Sequence, residues 1–437
     1  MDDDKKVPSL EPTQAFPAVT PGARSSAEVP ALAPTQAFPS YKPQTGTAAI
    51  PLRRINSIDL LRGIIMVIMA LDHTRDYVSA YHFQPEDLSR TTAALFMTRW
   101  ITHFCAPVFM FFAGTGAFLS LARGKTKGEL SRFLFTRGLW LVLLEVTVSK
   151  FGWELFAYDP NSILLIVIWA LGCSMIILSA LIYLPVGALA IFSAVVIAGH
   201  NFLDGIAPEA FGSLSWLWKM LHVQGFIGAP PGQGFGIFFV YPLIPWFAVM
   251  SMGYCFGALL SRDDMRASAE KRRTVLLRIG LGLTAAFIVL RFINVIGDSN
   301  HWSTQKNGLF TFFSFLNTTK YPPSLLYLLM TMGPAIAVLP FLEKARGKIA
   351  DFFLVFGRVP LFYYVLHIPL INILGSLLYL WHNGTWPQAN PLINPIGADS
   401  LAVVYLVWAV VVLLLYPVCK WYMYRKGNST NPLYRYL

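Results

Sequence analysis

About ten apolar stretches punctuate the 437-residue chain, each near the twenty residues that span a hydrocarbon layer. They lie near 57–80, 99–122, 133–150, 162–183, 185–200, 236–260, 275–297, 322–342, 351–380 and 400–424. Only a short break at Leu184–Pro185 separates the fourth from the fifth, and the long ninth has a place to bend at Pro369. In lipid a spanning segment must satisfy its own backbone hydrogen bonds, so stretches of this length imply helices. The expected fold class is therefore an all-α integral membrane protein of about ten transmembrane helices. Only 13% of residues are charged, against roughly 25% in a soluble domain. The net charge of +11 then reads as basic loops of a membrane protein, with no call for nucleic acid.

The basic residues test this count. Arg53 and Arg54 precede the first stretch, and Arg123, Lys125, Lys127, Arg132 and Arg137 follow the second. Arg262, Arg266, Lys271, Arg272, Arg273 and Arg278 follow the sixth, Lys344, Arg346 and Lys348 the eighth, and Lys420, Arg425, Lys426 and Arg435 close the chain. They recur on every second connection, which puts both termini in the cytoplasm. The other connections, near 81–98, 151–161, 201–235, 298–321 and 381–399, face outward.

Residues 1–52 form a separate segment rich in Pro and Ala, with PTQAFP at Pro12–Pro17 and again at Pro34–Pro39. It lacks the apolar centre of a signal peptide and cannot bury a core, so a disordered cytoplasmic tail is expected before a polytopic domain over 53–437. Phe16 and Phe38 are spacer residues or, less simply, bait for a partner. The cysteines Cys105, Cys173, Cys255 and Cys419 fall in or beside apolar stretches without CxxC spacing, which argues against a disulfide framework or structural zinc.

The chemistry concentrates in IDLLRGIIMVIMALDHTR, Ile58–Arg75. Asp59, Arg62, Met66, Met69, His73 and Asp76 recur by three or four and share one helical face. Ionisable groups at membrane depth face protein or a wet cavity, so this helix lines a site. His73 with Asp72 and Asp76 reads as a general base beside a carboxylate, or as an interfacial polar cluster with Arg75 paired to an acid. Asp59 and Arg62, with Arg53 and Arg54, could hold the phosphates of a cytoplasmic ligand, or form an ion pair with snorkelling arginines. His82, His103 and His367 are lone histidines by spacing that could converge with His73 in one outer cavity. No HExxH or paired-ligand spacing calls for a metal. GTG (Gly114–Gly116) and GQGFG (Gly232–Gly236) fit helix packing or a turn better than a phosphate loop. YPLIPW (Tyr241–Trp246) should break or kink the sixth helix.

RINSIDLLRGIIMVIMALDH (Arg54–His73) and HFCAPVFMFFAG (His103–Gly114), with YPLIPW, KYPPSLLYLLMTMGP (Lys320–Pro334) and GRVPLFYYVLHIP (Gly357–Pro369), resemble the heparan-α-glucosaminide N-acetyltransferase catalytic family, in a bacterial branch. The likeness runs over roughly Arg53 to Lys426. It implies a bacterial inner-membrane acetyltransferase that takes acetyl from cytosolic acetyl-CoA to a glycan or glycolipid acceptor across the membrane, as a monomer or a homodimer. A histidine in the first outward loop is the family's catalytic group, supported by an asparagine at the outer end of the first span. Asp72 stands in the asparagine's place, and the histidine's place falls near His82, with His73 a second candidate. His103, His367, Tyr241 and Lys320 are then candidates for the acceptor side, and Arg53, Arg54, Asp59 and Arg62 for the CoA side. Trp216, Trp218, Trp302, Trp381 and Trp386 suit sugar stacking or an interfacial aromatic belt.

Two other classes compete with an enzyme. A transporter would use the proline-broken sixth helix and buried charges, but the stretches show no internal repeat. A scaffold would work through its tail, and deleting residues 1–50 would abolish its function.

Overall fold

The structure is a computed structural model that describes residues 55–229, 233–387, 397, 399–429, 431, 434 and 436. Arg53, Arg54 and the expected tail lie outside the described residues. The first helices are α1 (Asn56–Val78), α2 (Ala93–Thr102), α3 (Cys105–Ala122) and α4 (Lys127–Leu144), the last running through a π turn at Glu145–Ser149 into α5 (Lys150–Glu154). Strand β1 (Ser162–Leu165) precedes α6 (Val167–Leu181), α7 (Val186–Gly199) and α8 (Ser215–Leu221). Strands β2 (Gly225–Gly228) and β3 (Gly236–Phe239) lead to α9 (Trp246–Leu260), α10 (Asp263–Ala267), α11 (Ala269–Ile293) and α12 (Gly308–Leu316). The chain ends through α13 (Leu325–Leu342), α14 (Lys348–Arg358), α15 (Pro360–Asn383) and α16 (Leu401–Asn428).

Helix α1 is the centre of the bundle, packed by α2, α3, α13, α14, α15 and α16. It carries Asp59, Arg62, Asp72, Arg75 and Asp76, and burial against protein is the arrangement such a helix needs at membrane depth. Its approach to α14 depends on two glycines. A Cβ on Gly63 would lie 1.9 Å from the Phe353 carbonyl oxygen, and one on Gly357 would lie 1.7 Å from that of Asp59. The GTG segment serves the same purpose, since Gly114 lies against the Met250 carbonyl where α3 crosses α9. Helices α7, α11 and α16 instead turn Ile191, Val195, Leu281, Val289, Leu406 and Leu413 outward. Apolar side chains exposed along whole helices suit lipid as the surrounding solvent.

Among the described residues six helical segments are long and apolar enough to cross a membrane: Ala93–Ala122, Val186–Leu203, Ala269–Ile293, Leu325–Leu342, Pro360–Asn383 and Leu401–Asn428. About ten were expected, and the difference has physical causes. Helices α1 and α4 carry several charges, and α6 and α9 are apolar but only 15 residues long. Both short helices are shortened at their starts, where the stretches at 162–183 and 236–260 begin as strands. Pro242 and Pro245 thus precede α9 instead of kinking it. The ninth stretch divides at Val359, with Pro360 at the first position of α15, and Pro369 sits inside that helix. Proline at the first helical position loses no hydrogen bond, which makes it a natural start.

The protein is mostly helical rather than purely so. The strands form one sheet in the order β1-β3-β2. Strand β1 pairs parallel with β3, Ser162 opposite Gly236, and β2 pairs antiparallel with β3, Gly225 opposite Phe239. This sheet matters to the site because it forms one wall of a cavity.

Candidate active site

A cavity of about 930 Å³ lies at the C-terminal end of α1. Asp72, His73, Arg75 and Asp76 from α1 line it, and the following loop adds His82 and Glu86. Arg99, Thr102 and Cys105 come from the α2–α3 break, Phe226 and Phe238 from the sheet, and Lys320 and Tyr321 from the segment before α13.

Two histidines form the chemical core. His73 Nδ1 lies 2.8 Å from His367 Nε2, and His367 Nδ1 lies 2.9 Å from the Tyr363 carbonyl oxygen. A carbonyl only accepts, so His367 must donate through Nδ1. A neutral His367 then accepts at Nε2, and His73 must donate through Nδ1. This assigns the proton of neutral His73 to Nδ1 and leaves its Nε2 with a lone pair. Among the described residues Nε2 has no hydrogen-bond partner. The ring is fixed by edge contacts with Trp153 at 4.8 Å and Tyr364 at 6.2 Å. Trp153 is held in turn, since Tyr77 Oη and Asn372 Nδ2 both donate to its carbonyl.

Beside this pair runs a buried ionic chain. Asp72 meets Arg75 at 2.7 Å through Oδ1 and Arg99 at 2.7 Å through Oδ2. Arg75 also holds Asp76 at 2.7 Å, and Arg99 holds Glu86 at 2.6 Å. Lys320 Nζ stands 3.7 Å from Asp72 Oδ2, and His103 Nε2 stands 3.6 Å from Glu86. Burial alone would raise the Glu86 carboxyl, but the Arg99 guanidinium, with His103 behind it, holds it well below the usual carboxylate range.

The structure therefore brings His73, Asp72, Asp76, His82, Tyr241 and Lys320 around one cavity, with His367 directly behind His73. His82 Nε2 lies 2.8 Å from the Gly397 carbonyl, so it too donates and keeps Nδ1 as its basic nitrogen. His103 does not line the cavity; it is buried beyond Glu86. The expected pairing of His73 with a carboxylate is not formed: Asp72 and Asp76 pair with arginines, and His367 takes the carboxylate's place. Asp59 and Arg62 form a 4.0 Å pair at the other end of α1 and do not line this cavity. Eleven residues separate Arg62 from His73, about 16 Å along the helix. None of the five outer tryptophans singled out for sugar stacking lines the cavity. Trp218 and Trp302 instead donate to the Ile206 and Arg291 carbonyls.

Sequence reasoning missed Trp153, Glu86 and Tyr321. Glu86 sits beside Asp87 in an outward connection, where acids are ordinarily solvated, which is a weak signal. Tyr321, whose hydroxyl lies 3.3 Å from that of Tyr241, was in view only as part of a proline motif.

The family model described as heparan-alpha-glucosaminide N-acetyltransferase, catalytic, matches residues 54–298, more than half of the chain. The chain belongs to this family. No curated protein matches the sequence. The family is one of membrane acetyltransferases, which agrees with the six apolar helices. The matched region carries His73, Asp72, Arg99, Glu86 and Tyr241, whereas Lys320, which lines the cavity, and His367, which lies behind His73, come from beyond residue 298.

Proposed function

We propose that the protein is a multi-pass acetyltransferase that takes an acetyl group from cytosolic acetyl-CoA and gives it to a hydroxyl or amine of a glycan or glycolipid at the outer face of a bacterial inner membrane. The observation that carries this reading is His73, which lines a cavity large enough for a sugar, is held through Nδ1 by His367, and has no partner at Nε2 among the described residues. A positioned imidazole that accepts the acceptor's proton is what acyl transfer requires. Asp72, Asp76 and Arg75 hold the last turns of α1 and so position His73. His82, the counterpart of the family's loop histidine, faces the same cavity as a second basic group. Tyr241 lines the acceptor side of the cavity, with His103 more remote behind Glu86.

On this reading the membrane is crossed ten times, by the six apolar segments and by α1, α4, α6 and α9. Protein on most sides of α1 makes its charges tolerable there. The basic connections support cytoplasmic termini, and residues 1–52 form a tail separate from the catalytic domain. Arg62, with Arg53 and Arg54, would meet the anionic CoA, and the pantetheine arm would carry the thioester along α1 toward His73.

Acetyl-CoA binding and CoA release by the purified protein in nanodiscs test the proposal. Saturable binding weakened by Arg62→Ala, with release lost in His73→Ala, is the expected result. Folded protein that binds no acyl-CoA would overturn it and favour a transporter.

A further inference from the structure

Among the described residues that line the cavity, Lys320 is the cation whose charge the surrounding carboxylates do not need. Both oxygens of Asp72 are already met by arginines at 2.7 Å, and Asp76 and Glu86 each have an arginine of their own. The Lys320 ammonium stands 3.7 Å from Asp72, and among the described residues no group accepts a hydrogen bond from it. It is nevertheless largely buried, and it lines the cavity together with His73. An ammonium has three donors, which a group entering the cavity can accept.

The segment bearing Lys320 is fastened from both sides. Asp298 accepts from Thr319 N at 3.0 Å, Thr319 Oγ1 at 2.7 Å and Ser324 Oγ at 2.7 Å. His200 Nε2 lies 2.7 Å from the Pro323 carbonyl oxygen. Such a backbone holds a donor ready before any ligand arrives, which is the form electrostatic catalysis takes.

Charge balance says what the donor is for. Among the described residues three carboxylates (Asp72, Asp76, Glu86) and three cations (Arg75, Arg99, Lys320) line the cavity, so their charges balance with an uncharged acceptor in place. During acyl transfer the proton taken by His73 and the negative charge formed on the carbonyl oxygen appear together, and neutrality is kept. A permanently anionic acceptor would break it.

We propose that Lys320 is a catalytic residue that stabilises the oxyanion of the transferred acetyl group, and that the acceptor is uncharged at the reacting end. The acceptor's oxygen or nitrogen attacks the thioester carbon and loses its proton to His73 Nε2. The carbonyl π pair moves to oxygen and is held by the Lys320 ammonium. When the carbonyl re-forms, the C–S bond breaks and His73 returns the proton to sulfur, releasing CoA thiol and the acetylated acceptor. This assignment rests on the acetyltransferase reading above.

The test is acetyl-CoA turnover in nanodiscs with glucosamine and with hydroxylamine, a nucleophile too small to need recognition. Lys320→Met should lower kcat by about 10²–10³-fold on both acceptors, the usual loss for an oxyanion donor. The acetyl-CoA Kd should stay within about threefold, and Lys320→Arg, which keeps a cationic donor, should recover part of the rate. If Lys320→Met does not fold, Lys320→Gln reads the same division between kcat and KM. A kcat within about threefold of wild type, a loss seen only with glucosamine, or a higher acceptor KM at unchanged kcat would each overturn the assignment alone. A folded wild-type protein that turns over neither acceptor would overturn the acetyltransferase reading and the assignment with it.

Discussion

His73 and His367 lie 294 residues apart in the chain, yet their ring nitrogens approach to 2.8 Å, and the Tyr363 carbonyl behind them decides which nitrogen carries each proton. In many hydrolases a carboxylate orients the catalytic imidazole. Here a second imidazole, His367, holds His73, while the nearby Asp72 and Asp76 pair with arginines.

That arrangement makes His367 a positioning residue with a measurable signature. His367→Ala should lower kcat by about 10²–10⁴-fold, the range expected when a general base loses its orientation. The acetyl-CoA Kd should be unchanged, because His367 does not face the cavity. His367→Gln, whose amide oxygen can accept from His73 Nδ1, should recover part of the loss. Steady-state acetyl transfer by the two variants checks this, and equal activity in all three proteins would remove the relay from the mechanism.

Glu86 gives a pH prediction of definite sign. Its folded carboxyl titrates well below the ordinary value of 4.5, through Arg99 and His103 acting against burial. A lowered folded value means that the unfolded chain binds the proton first as pH falls. The stabilisation is therefore present above about pH 4.5 and is lost as the pH drops through the folded value. Thermal unfolding in nanodiscs should show wild type losing more stability than Glu86→Gln between pH 6 and pH 3. The same slope in both proteins would show that Arg99 and Glu86 are not coupled.

The crossing of α1 and α14 is set by contact rather than by charge. A methyl at Gly357 would meet the Asp59 carbonyl oxygen at 1.7 Å, closer than any atom can stand, and that oxygen belongs to rigid helix backbone. Gly357→Ala should lower the unfolding midpoint by an amount equivalent to about 1–3 kcal/mol of overpacking. Gly116→Ala, where a Cβ meets nothing within 4 Å, should leave the midpoint near wild type. Differential scanning fluorimetry of both variants in one detergent makes the comparison.

How much of this was legible in advance depended on distance along the chain. The face of α1 that carries His73 and Asp76 could be read because helical periodicity is local, and the ionisable groups on it marked the helix as lining a site. The partners of those residues could not be read. Arg99 and Lys320 reach Asp72 through tertiary packing, and spacing suggested Asp76 as the orienting group where the fold supplies His367. The helix breaks failed for a different reason. Hydropathy averages across Val359–Pro360 and across the strands at 162–165 and 236–239, because an apolar strand and an apolar helix look alike in composition.

The final prediction concerns Asp72, which belongs to a cluster of charges rather than to a single pair. With it removed, Arg75 keeps Asp76 and Arg99 keeps Glu86, but three cations then face two carboxylates in a largely buried site. Removing one partner of a buried ion pair typically costs about 3–5 kcal/mol, because the remaining charge stays desolvated. Asp72→Ala should show a loss of that order in unfolding free energy, and Asp72→Asn, which still offers one acceptor oxygen, a smaller one. Adding Arg99→Ala to Asp72→Ala should cost less than the sum of the two single changes, since the second removes one of the three cations that the first left facing two carboxylates. Denaturant unfolding of the single and double variants measures that coupling. Strict additivity would mean that the two side chains, 2.7 Å apart, contribute independently, and that Asp72 acts on α1 through some other contact.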